Sequence, residues 1–175
     1  MTEQIIQGIL LALHNIALVG CAAAPFYNRQ LVNQRAQYGP KLHYELDKVV
    51  ENTIQGGVPY CVAFITILWA TGIGMPLNHL LFQGALREMH IVGTVALILK
   101  LLCVLGMMGI MFIIFMQINP RLRELFAGFS PGSAPDPEKE KEFFAKRARR
   151  KALCETCLKF AIGILVFSAF LHFRI

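Results

Sequence analysis

The chain has 175 residues, 55% of them hydrophobic and 16% charged, with a mean hydropathy of +0.53 and a formal net charge of +6. That balance is too apolar for a soluble domain of this size and too evenly spread for one buried core, which excludes an ordinary water-soluble enzyme and points to the membrane class. The sequence predicts a single all-α integral membrane unit: four transmembrane helices in an antiparallel bundle, with helical cytoplasmic extensions.

A span needs roughly 20 mainly apolar residues, and four stretches qualify. The first runs from about Gln4 to Phe26. Only Thr2 and Glu3 precede its apolar core, without the basic n-region of a secretory signal, so it reads as a retained helix. The residues from Tyr27 to Thr53 have few breakers apart from Gly39 and Pro40. They set Leu31, Val32, Leu42, Leu46, Val49 and Val50 at near-helical spacing, which prolongs the first two helices past the membrane. The second span covers about Ile54 to Met75. The third, about Glu88 to Met116, is long enough to tilt or protrude. In the connection at about 117–151, Gly128 to Pro137 is rich in Gly, Ser and Pro and forms a loop. Glu138 to Lys151 then alternates acid and base like a solvated helix with i,i+4 pairs. The fourth span runs from about Ala152 to Phe173.

Orientation follows from basic residues, which stay on the cytoplasmic side during insertion. The first connection carries Arg29, Arg35, Lys41 and Lys48. The third carries nine Lys and Arg residues, from Arg121 to Lys151, against Arg87 alone in the second and Arg174 alone at the C-terminus. Both termini are therefore expected on the exoplasmic or periplasmic side, in a bacterial inner (cytoplasmic) membrane. The positive charge near Lys146 to Lys151 suits anionic lipid headgroups. No RNA- or DNA-binding module accompanies it, so nucleic acid is not expected as a partner.

An ionisable residue near mid-bilayer costs about 2.5–3.5 kcal/mol on insertion scales and marks a functional site by default. His14, ten residues into helix 1, and Lys100, about twelve into helix 3, fall at matching depths of roughly 15–18 Å. A neutral imidazole ligates iron or copper, and a desolvated lysine can hold a neutral amine that does so too. A haem between helices 1 and 3 accounts for both residues. The bland alternative for His14 is a hydrogen bond to a backbone group or hydroxyl of a neighbouring helix. Trp69 suits either an interfacial belt or the wall of a porphyrin or quinone site. Gly72, Gly74, Gly106 and Gly109 allow close approach of helices or of a flat cofactor.

His79 and His90 sit at the exoplasmic face, in interfacial roles or within reach of a metal or substrate. His43 and His172 carry no role from sequence. Cys154 and Cys157 have CxxC spacing, the pattern of a redox pair or half a metal site, but no second Cys/His pair accompanies them. Cys21, Cys61 and Cys103 read as small packing residues. The Walker, Rossmann, HExxH and nucleophile-elbow patterns do not occur.

Several segments in order carry a family resemblance: Leu13-His14 and Pro25-Phe26-Tyr27, then Pro59 and Trp69-x-x-Gly72, then Leu99-Lys100-Leu101-Leu102, and Arg149-Arg150-Lys151-Ala152-Leu153-Cys154-Glu155 opening the fourth helix. With these the chain resembles the HemJ-type protoporphyrinogen IX oxidases and their relatives among the copper-resistance D-like four-helix membrane proteins. The resemblance implies a b-type haem held by His14 and Lys100, and electron transfer from a porphyrinogen to an acceptor such as quinone. The sequence departs from the family pattern at Cys21, where an aromatic is expected, and at Ala24, where a glycine is. Met107, Met108 and Met111 occupy the region of a second helix-3 histidine, Cys154-Glu155 stands for Asn-Glu, and the insertion from Gly128 to Lys151 is long.

Three readings follow. The first is a haem b membrane redox protein with His14 and Lys100 as axial ligands and Trp69 lining the ring. The second is a non-catalytic accessory subunit docked onto a larger respiratory or photosynthetic complex; separately, the small-residue helix faces suit a homodimer. The third is a copper-handling protein using His14, His90 and the three methionines, whose thioethers suit Cu(I).

Overall fold

The computed structural model describes residues 1–85, 90–131 and 135–170. The described residues are helical throughout, apart from short turns. Helix α1 spans Thr2–Ala36, so its apolar stretch runs on without a break into the polar residues beyond Tyr27. The expected prolongation of the first two helices is present. The chain turns through Gly39, whose φ of +88° an L side chain rarely adopts. Helix α2, Tyr44–Gly56, begins at His43, and the Asp47 carboxylate accepts the His43 N–H at 2.9 Å, closing its first turn.

Only Gly57 separates α2 from α3, Val58–Gln83. Pro59, which has no N–H to give the helical ladder, fits at that junction. Helix α3 ends at Gly84, in left-handed conformation (φ +71°), whose N–H bonds the Leu80 carbonyl at 2.9 Å. Helix α4, Ile91–Ile113, runs through one π-helical turn, Ile114–Ile118, into α5, Asn119–Ala127. Pro120 lies just past that turn, and its missing N–H is the physical cause of the break in register. The third sequence span was set to begin at Glu88, which lies outside the described residues, as do Arg87, His172, Phe173 and Arg174.

Helix α6, Pro137–Phe170, joins the charged segment and the fourth span in one rod. Asp136 caps it by accepting the Glu138 N–H at 3.0 Å. The segment from Glu138 is helical as expected, but it is not a solvated helix laced by its own i,i+4 pairs. Phe143, Arg147 and Arg150 are buried, and its charges pair across to other elements.

Four helical rods, residues 2–36, 44–83, 91–127 and 137–170, are long and apolar enough to cross a membrane. Their outer surfaces are apolar: Ile5, Ile9, Val19, Leu81 and Ile91 are all more than half exposed, as lipid-facing side chains are. The chain is an all-α integral membrane protein. Helix α1 packs along α3 and against α6, and α4 packs along α6, while α3 and α4 share no comparable backbone seam.

Small residues let these seams close. Gly20 of α1 lies under the Phe64 ring of α3, and Gly106 of α4 lies under Phe160 of α6. A methyl group at Gly20 would overlap the Phe64 ring, whereas one at Gly109 meets nothing within 4 Å. Gly20→Ala should therefore destabilise by about 1–3 kcal/mol, and Gly109→Ala should leave thermal unfolding in detergent nearly unchanged. Equal melting of the two variants would contradict the close α1–α3 approach.

Candidate functional site

His14 projects from the middle of α1 into the bundle and is nine-tenths buried. Its Nδ1 lies 2.8 Å from the Thr71 hydroxyl on α3. That hydroxyl has one proton, which it gives back along its own helix to the Ile67 carbonyl at 2.6 Å. Its oxygen is left as an acceptor, so Nδ1 carries the imidazole proton and donates it to Thr71. The tautomer is thereby fixed, and the Nε2 lone pair is left buried without a protein partner. Gly72 keeps this place open: a Cβ there would stand 3.7 Å from the imidazole Cε1.

Lys100 of α4 is half-buried and within electrostatic range of His14. Among the described residues it has no hydrogen-bond or ion-pair partner. Two nitrogen bases, one of them with an unused lone pair, therefore lie within electrostatic range on α1 and α4, two helices that share no comparable backbone seam. A ligating histidine commonly gives its second N–H to an outer acceptor in this way, which orients the ring and raises its basicity.

Trp69 makes a specific contact within the bundle. It lies mid-helix, half-buried, and its indole N–H donates to Met108 Sδ on α4 at 3.0 Å, bridging the loosest side of the bundle. Met107 is buried in the core, and Met108 and Met111 are half-buried. His79 contacts Glu3 at 3.3 Å, in a polar cluster with Asn78, Gln7 and Gln83 at the N-terminal end of α1. His90 precedes α4 and is exposed, and His43 bonds the Tyr38 carbonyl at 3.0 Å. Cys154 and Cys157 are both buried thiols on α6, packed in the core with Cys21. Among the described residues, no three His, Cys, Asp or Glu side chains are gathered to hold a metal ion.

A charged cluster at the other end of the bundle was not anticipated. Arg35 of α1 grips Asp47 of α2 with two hydrogen bonds, 2.6 and 2.8 Å, and its guanidinium also bonds the Gly39 and Lys41 carbonyls. Arg147 of α6 reaches Asp47 and lies 3.2 Å from Glu51. Arg150 grips Glu51 through two bonds of 2.7 Å and touches Asn119. All six side chains are at least nine-tenths buried. Arg147 and Arg150 thus turn inward to pair with acids, and only their neighbours, such as Arg149, are left for lipid headgroups. Rings from α2, α5 and α6 close over the cluster, with Phe143 under the Arg147 guanidinium at 5.2 Å. The spacing held the signal: Asp47 and Glu51 are four apart on one helix, Arg147 and Arg150 three apart on another, so each pair shares a face.

These features define a class: a four-helix membrane bundle with a buried histidine and a half-buried lysine within electrostatic range of each other, and an ion-pair cluster locking one end. Comparison with protein-family models, with curated proteins and with solved structures found no match.

Proposed function

We propose that the chain is a haem b-binding membrane redox protein of the kind its resemblance to the HemJ-type oxidases implies, in which His14 and Lys100 would hold the iron. The observation that carries this reading is the His14 Nδ1–Thr71 hydrogen bond, which leaves Nε2 buried and unpaired, with Lys100 within electrostatic range and without a hydrogen-bond or ion-pair partner among the described residues. A b-type haem would supply one-electron transfer at this depth. In this reading the chain's own residues orient the imidazole through Thr71, leave room at Gly72, and exclude water with an apolar surround. A porphyrinogen as electron donor and quinone as acceptor complete the proposal. The basic ends of the helices face the cytoplasm of a bacterial inner membrane, with both termini outside.

The second reading, an accessory subunit that keeps the fold without the cofactor, draws support from the Trp69–Met108 bond, which occupies the gap between α3 and α4 where a flat ring would need room. The test is an absorbance spectrum of the detergent-purified protein, oxidised and dithionite-reduced, with a pyridine haemochrome assay. A b-type spectrum at about one haem per chain is expected. A colourless protein migrating with a large complex would overturn the haem reading in favour of the second, and bound copper without haem would favour copper handling.

A further inference from the structure

Two cavities of about 520 and 350 Å³ lie at the ion-pair end and share Arg123 of α5 as a wall. Phe115 of the π turn and Pro120 border the smaller, and Gly56, with open space where its Cβ would be, borders the larger. The larger is lined by Asn52 and Gln55 together with Phe126 and Ala127, and the smaller by Val58 and Phe115 together with Asn119, so polar and apolar groups stand side by side in both.

The polar groups at this junction are only partly used. Asn119 is nine-tenths buried and lines the smaller cavity, and its Oδ1 accepts from Arg150 at 3.3 Å. Its side-chain NH₂ has no acceptor among the described residues. Arg123 donates Nε–H to Gln55 and pairs with no carboxylate among the described residues, so both of its terminal nitrogens are open to a ligand. The one carboxylate in the lining, Glu51, is already gripped by Arg150 and Arg147. The cluster behind it holds three guanidiniums against two carboxylates. The cleft is therefore cationic and sets its donors beside apolar side chains.

We propose that this cleft binds one anionic phospholipid, its phosphodiester held by Arg123 and the Asn119 amide and an acyl chain lying against Val58 and Phe115. A guanidinium suits a phosphate geometrically, and an amphiphile is the ligand that uses both walls. The site would tie α5 to the α2–α3 junction through a molecule of the bilayer.

Native mass spectrometry of the full chain in detergent tests this, with dioleoylphosphatidylglycerol, dioleoylphosphatidylcholine and inorganic phosphate as probes. One phosphatidylglycerol should be retained per chain in preference to phosphatidylcholine. Arg123→Gln should weaken it by about tenfold, the value of one charge-assisted bond, while Arg149→Gln, an exposed cation of the same end, should not. Both positions are exposed, so the variants should remain monodisperse and helical. Equal retention of the two lipids, or equal effects of the two substitutions, would overturn the proposal in favour of diffuse attraction. Displacement of the lipid by inorganic phosphate would reassign the cleft to a free anion.

Discussion

Asp47→Ala should cost about 3–5 kcal/mol, because it leaves two buried guanidiniums without their shared anion. Asp47 is completely shielded and accepts from Arg35, Arg147 and the His43 N–H, so a single truncation leaves Arg35 without a carboxylate and Arg147 with Glu51 alone. The loss exceeds the worth of the pairs themselves, since most of it is the penalty of burying charge that nothing answers. Thermal unfolding in one detergent, followed by near-UV circular dichroism, is the measurement. Glu142→Ala, which breaks an exposed pair with Arg121, is the control and should melt close to the unaltered chain. If Asp47→Ala melted beside that control, the cluster would not be locking the helices. Replacing Asp47, Arg35 and Arg147 together with apolar residues should recover much of the loss, because no unanswered charge would then remain.

The contrast between the two ends of the molecule shows what a linear pattern can carry. The four spans were legible because crossing hydrocarbon demands a continuous apolar run, a constraint written locally in sequence. The prolongation of α1 to Ala36 and the existence of α2 were legible for a similar reason, from the helical spacing of Leu31, Val32, Val49 and Val50. Span ends were less so: Trp69 was placed near the end of its helix, yet α3 continues to Gln83, because backbone hydrogen bonding does not stop where hydropathy falls.

The partners of charges were not legible at all. Asp47 and Arg147 lie 100 positions apart, and a charge run looks the same whether its members face water or one another. For His14 the hydroxyl alternative and the ligand alternative had been set against each other. Thr71 shows that they are compatible, since its hydroxyl takes one ring nitrogen and leaves the second unused.

On the haem-binding reading, His14→Ala should remove the Soret band entirely, because it deletes the one lone pair that the fold holds buried, oriented and unused. Lys100→Met, which keeps the apolar length of the side chain, should instead shift the band and the midpoint potential while the protein still folds. Thr71→Val adds the discriminating arm. It leaves His14 in place but takes away the acceptor of its Nδ1–H, and loss of such an outer partner typically weakens metal binding by 10–100-fold. If His14 merely packs against Thr71, the three variants would alter stability alone, and His14→Ala and Thr71→Val would fail to add in a double-mutant cycle, as expected of two partners in one hydrogen bond. A spectrum left unchanged by Lys100→Met would remove the lysine from the ligand set and leave His14 with an open position opposite. The resulting site would be built for binding a small molecule at the metal, and its response to an added axial ligand such as imidazole would then distinguish the two coordination states.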